Sequence, residues 1–106
     1  MKSNTQIQTH LNIPLKKITS FCQRNHIRRL ALFGSILRND FRPDSDVDML
    51  VAFEPNHIPG LAFFTMEVEL SQILGRKVDL NTLQCLSTHF RDKVKIEAQM
   101  VYEQTK

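Results

Sequence analysis

Apolar positions change their period several times along the chain, and each change marks an element. Leu11, Leu15, Ile18 and Cys22 recur at spacings of three and four, one stripe of a helix over Leu11 to His26. Asn12 is placed to cap this helix and Pro14 fits its first turn. IRRLALF, Ile27 to Phe33, reads as a short strand running into Gly34-Ser35, with room for a short helix from Ser35 to about Arg38. RNDFRPDSD is a turn-rich loop. VDMLVAF, Val47 to Phe53, alternates at its start and is apolar at its end, a second strand. Leu61 to Gly75 reads as a helix closed by a C-cap glycine. KVDLNTL, Lys77 to Leu83, is a third strand, and Ser87 to Tyr102 a last helix capped by Ser87 or Thr88, with Phe90, Val94, Ala98 and Val101 at helical spacing.

The order α-β-α-β-α-β-α predicts a small α/β (α+β) fold, a sheet of about three strands packed with helices. The 106 residues suit one domain with a modest core, the first ten being polar and loose. No apolar run reaches the ~18–20 residues of a membrane span, and MKSNTQIQTH is too polar for a secretory signal. A cytoplasmic location follows as the expectation. Two cysteines 63 positions apart are no disulfide framework.

Net charge changes the picture through its distribution. Fourteen basic and eleven acidic residues leave +3, but residues 1–39 carry seven basic residues and no acid. Four of the six aspartates, Asp40, Asp44, Asp46 and Asp48, crowd into nine positions that follow. Such crowding in a basic chain needs a local reason, and hard cations supply one, since they take carboxylate oxygens.

The segment LFGSILRNDFRPDSDVDMLV carries that chemistry. Gly34-Ser35 leaves a strand where backbone N–H groups turn outward and attract phosphate, the glycine allowing close approach. After ten residues come Asp46 and Asp48, two apart at a strand start and therefore on one face. Asp79, between Val78 and Leu80, is a third acid in a strand. If its strand lies beside the second, three carboxylates can hold two Mg²⁺ ions, which would clamp a nucleoside triphosphate.

Gly-Ser, ten residues, Asp-x-Asp and a later strand acid resemble the nucleotidyltransferase superfamily built on the DNA polymerase β palm. Arg38 and Asp40 in a GSxxRxD opening, Ser45 before the acid pair, and RKVDL around Asp79 resemble its minimal nucleotidyltransferase (MNT) family, over about residues 11–103. The resemblance implies that Asp46, Asp48 and Asp79 bind Mg²⁺ and carry catalysis, Asp79 helping to deprotonate the acceptor hydroxyl. It implies that Gly34 and Ser35 hold the β- and γ-phosphates of ATP, while Arg38 contacts phosphate or pairs with Asp40. It further implies an antitoxin that transfers AMP to a tyrosine of a partner HEPN-domain ribonuclease toxin, in a hetero-oligomer. The chain leaves no room for an acceptor-binding domain, so the acceptor is expected on another protein. Neutralisation of the toxin by binding alone, and transfer to a small molecule or an RNA end, stand as alternatives. Direct nucleic-acid binding is not expected as the primary role.

Other residues read more plainly. Asp44 suits turn hydrogen bonds. Cys22-x₃-His26 and Cys85-x₃-His89 offer four zinc donors, but the spacing is not that of structural zinc, and a buried Cys beside a surface His is the simpler reading of each. Phe63, Phe64 and Met66 suit core or partner surface. Lys16, Lys17, Arg24, Arg28 and Arg29 suit a solvated face, and Tyr102 suits packing.

Overall fold

The computed structural model describes residues 13–34, 46–57 and 59–104. Three helices, α1 (Leu15–Arg24), α2 (Ala62–Leu74) and α3 (Thr88–Glu97), accompany four strands, β1 (Ile27–Phe33), β2 (Val47–Phe53), β3 (Val78–Asn81) and β4 (Gln99–Glu103). The sheet order is β3-β2-β1-β4. β1 pairs antiparallel with both β2 and β4, whereas β2 and β3 run parallel with α2 as their crossover. The architecture is the expected mixture of α and β, with one strand more than the periodicity predicts.

That strand is the main correction. The last helix, expected over Ser87 to Tyr102, stops at Glu97, where Ala98 turns extended (φ −62°, ψ 141°). The run Met100-Val101-Tyr102 favours a pleated surface, and β4 covers the edge of β1 that would otherwise expose unpaired N–H and C=O groups. Helical spacing of Ala98 and Val101 persisted across this boundary by coincidence. Ser87 caps α3 as expected, its Oγ accepting from Phe90 N–H at 3.3 Å. The third strand is shorter than expected and passes into a 3-10 turn at Leu83–Cys85.

α1 begins at Leu15 and ends at Arg24, two residues before the expected His26, because Asn25 closes it: its Nδ2 and backbone N–H both donate to Phe21 O. Asn12 and the predicted helix at 35–38 lie outside the described residues. α2 ends at Gly75, whose φ of 70° is left-handed, as its place after Leu74 predicts.

One layer of the core lies between α1, α2 and the sheet. Ile18, Phe21 and Cys22 of α1 and Met66, Leu70 and Leu74 of α2 meet Leu30, Leu32, Val47, Met49, Val51, Val78 and Leu80. Each fully buried leucine or methionine contributes about 1.5–3 kcal/mol. On β2 the buried residues alternate with Asp48, Leu50 and Ala52, which take the opposite face. That face also carries Ala31 and Phe33, both buried, and α3 reaches it through Phe90, edge-on to Phe33 at 6.5 Å. No helix among the described residues is long and apolar enough to cross a membrane.

Candidate active site

The sheet brings Gly34, Asp48 and Asp79 to one of its ends. β1 finishes where β2 begins, with Phe33 opposite Asp48, so Gly34 emerges beside the second aspartate. In the parallel pair β2–β3, Asp48 stands opposite Asp79, and Val47 N–H donates to Lys77 O at 2.8 Å to extend the ladder. Val47 and Val78 point into the core, which turns Asp48 and Asp79 onto the opposite face together. Asp46 precedes β2, two residues upstream of Asp48, and is exposed.

Gly34 is tied to Asp48 by space as well as by register. Its φ of +81° lies in the left-handed region, and a Cβ there would collide with Asp48 Oδ2. The same hypothetical Cβ would stand 3.3 Å from Asp48 Cγ. Backbone and carboxylate therefore approach each other as no residue with a side chain would permit. Asp48 and Asp79 are aligned by register, and the three carboxylates do not converge: among the described residues, the donors gathered within 4.8 Å of one another are those of His26, Glu54 and His57. Ser35, Arg38, Asp40, Asp44 and Ser45 lie outside the described residues.

The strand that carries Asp79 is an edge strand, and α2 secures its free side. Leu80 N–H donates to Glu67 Oε2 at 2.8 Å and Val78 N–H to Ser71 Oγ at 2.9 Å. The sequence hides this role, because Glu67 and Ser71 look like ordinary solvated helix positions.

The four candidate zinc donors do not assemble. Cys22 is buried in the core, where desolvation pushes its thiol up to about 12. Cys85 is exposed at the 3-10 turn, its thiol lowered by the Thr82 hydroxyl that donates to Sγ at 3.3 Å. His26 turns instead toward Glu54 and His57. Lys16, Lys17, Arg24, Arg28 and Arg29 are exposed, Arg24 pairing with Glu69 and Arg29 with Glu103. Met66 belongs to the core, Phe63 packs edge-on against Phe53, and Phe64 faces outward. Tyr102 packs against the core from β4, and partial desolvation raises its phenol.

Known proteins share this fold. The profile of the Polymerase beta nucleotidyltransferase family matches residues 16–106. A Methanocaldococcus jannaschii protein described as a candidate protein adenylyltransferase is 35% identical over 77 residues, 72% of this chain and 76% of that protein. A toxin–antitoxin complex with AMP-PNP superposes with a TM-score of 0.70 at 22% identity, over 88% of this chain and 76% of the matched one. A tri-AMPylated Shewanella oneidensis HEPN toxin in complex with MNT antitoxin gives a TM-score of 0.62 at 23% identity, over 85% and 70%. At these identities the two structures speak for the fold, while the profile spans nearly every described element. A glycine pressed against the second aspartate of the Asp46–Asp48 pair, in register with Asp79 across a parallel strand, thus lies within the matched profile, and the chain belongs to the polymerase β nucleotidyltransferase family.

Proposed function

We propose that this nucleotidyltransferase is a protein adenylyltransferase, transferring AMP from ATP to a tyrosine hydroxyl of a partner HEPN ribonuclease toxin and acting as its antitoxin. The observation that carries the reading is the packing of Gly34 against Asp48, in register with Asp79. Phosphate oxygens need a backbone without a Cβ, and a hard cation needs carboxylates beside it. Both requirements meet at one end of the sheet. The name of the M. jannaschii relative supports a protein acceptor, and the tri-AMPylated HEPN toxin supports a HEPN partner.

In this reading Asp46, Asp48 and Asp79 hold Mg²⁺, two ions in the full site, and the oxygen-only donor set suits it. Bound there, Mg²⁺ supplies charge neutralisation for the triphosphate and for the attacking and leaving oxygens. Gly34 and Ser35 bind the β- and γ-phosphates, with Arg38 as a further phosphate contact. The acceptor oxygen attacks the α-phosphorus and forms a new P–O bond, the bond to the β-phosphate oxygen breaks, and pyrophosphate leaves. Asp79 accepts the hydroxyl proton. An apolar stripe of Leu61, which caps α2, with Phe64 and Val68 on that helix, exposed at 84, 63 and 58%, suits a macromolecular acceptor better than a small one.

The test incubates the protein with α-labelled ATP, Mg²⁺ and a purified HEPN-domain toxin as partner. Label is expected on the partner, abolished by Asp46→Ala with Asp48→Ala. Undiminished label in that double variant removes the aspartates from the mechanism. Full protection of cells by Asp48→Asn would instead favour neutralisation by binding alone.

A further inference from the structure

At the opposite end of the β1–β2 pair, three donors from separate places in the sequence meet. His26 immediately precedes β1, Glu54 immediately follows β2, and the pairing of Ile27 with Phe53 sets the two side by side. Glu54 N–H donates to His26 O at 2.9 Å, and His57 N–H to Glu54 O at 3.1 Å, so the three backbones are tied to one another. Their ligand atoms all lie within 4.8 Å of one another, with His26 Nδ1 at 3.7 Å from Glu54 Oε1. The imidazoles of His26 and His57 stack at 3.9 Å, 14° from parallel. Bonds of ~2.0–2.1 Å in a tetrahedral zinc site separate the donors by roughly 3.4 Å. Closing the group on one ion turns the exposed His26 and His57 rings out of their stack toward the half-buried Glu54.

Two further features hold the arrangement in place. His26 and Asn56 adopt positive φ, 56° and 69°, conformations that residues with a Cβ seldom take. Gln104, just beyond β4, donates from Nε2 to the second oxygen of Glu54 and anchors the carboxylate from another strand. Two imidazoles and one carboxylate favour a borderline first-row ion over Mg²⁺, which prefers oxygen alone.

We propose that His26, Glu54 and His57 form a zinc-class divalent metal site, separate from the aspartates at the other end of the sheet. Three protein donors leave a fourth position for water or an anionic ligand. Glu54 and His57 border a cleft of about 600 Å³, whose walls include Arg28, Arg29 and Gln104. Arg28 supplies positive charge in this cleft, whereas Arg29 is already paired with Glu103, a further wall residue.

The test titrates Zn²⁺ into the chelator-stripped full chain, reading stoichiometry by competition with a chromogenic chelator and stability by melting. One equivalent is expected, with Tm raised by roughly 10–20 °C at a hundredfold excess over Kd. Millimolar Mg²⁺ gives no comparable rise. His57→Ala, and separately His26→Asn, which keeps a residue tolerant of positive φ, weaken Zn²⁺ binding at least about tenfold. Cys85→Ser and Asp48→Asn leave it intact. Unchanged affinity in both histidine variants, or loss of the bound equivalent in Cys85→Ser or Asp48→Asn, overturns the assignment.

Discussion

Gly34→Ala separates the two demands made on that glycine. Gly34, Gly60 and Gly75 all have positive φ, at 81°, 62° and 70°, so an alanine at each carries the same left-handed strain of about 1–2 kcal/mol. Only Gly34 has atoms within 4 Å of the new methyl, and they belong to Asp48. An aspartate side chain can swing, so the collision is relieved by moving the carboxylate by about 1 Å rather than by opening the sheet. Strain alone should lower the Tm of all three variants by roughly 5–15 °C, at about 4–8 °C per kcal/mol for a domain of this size. Displacing a reacting group by about 1 Å slows chemistry on the order of 100-fold. Melting curves, and initial rates of AMP transfer taken at 20 °C below each variant's Tm, give the comparison. Gly34→Ala is expected to melt like Gly60→Ala and to transfer AMP about 100-fold more slowly. Equal rates in the two variants would refute the idea that close approach to Asp48 serves the site.

Further outcomes follow from the same contacts. Glu67→Ala leaves the Leu80 N–H without its acceptor and should lower stability in urea melts by about 1–2 kcal/mol at constant m, with Glu67→Gln recovering part of it. Phe21→Ala empties a fully buried site and should remove about 3–5 kcal/mol, read in the same melts. Cys22 stays protonated in the fold up to about pH 12, against an ordinary thiol value of 9.0. Its folded value is the raised one, so its contribution is fully present below pH 9 and lost between 9 and 12, at about 1.4 kcal/mol per pH unit. Cys22→Ala should flatten that decline in denaturant melts run from pH 9 to 11. Cys85 should be alkylated by iodoacetamide well before Cys22, as peptide mass spectrometry of timed samples would show.

What could be read from the chain follows from where its signals are local. IRRLALF and VDMLVAF are bounded by turn residues and contain no competing period, and both strands occupy the expected residues, 27–33 and 47–53. Gly75 closes α2 because a left-handed residue must follow the last turn. The spacing of Gly34, Asp46, Asp48 and Asp79 is visible in one dimension. That Asp79 stands beside Asp48 depends on their parallel register, which no single segment encodes. β4 escaped because its five residues continue a helical pattern and owe their conformation to the open edge of β1. His26, Glu54 and His57 escaped for the same reason: β1–β2 pairing makes them neighbours, whereas local spacing had coupled His26 to Cys22.

The parallel pairing of β2 with β3 also sets an order in time. As the chain leaves the ribosome, β1 and β2 are complete once Phe53 has emerged, and Gly34 can then settle against Asp48. Asp79 is synthesised 26 residues later, after the whole of α2, and its strand can dock only when that crossover has folded back onto the sheet. The long loop makes this docking the slower event. A nascent chain therefore carries the glycine and the first two aspartates for an interval in which it lacks the third, and the complete carboxylate set waits on the crossover.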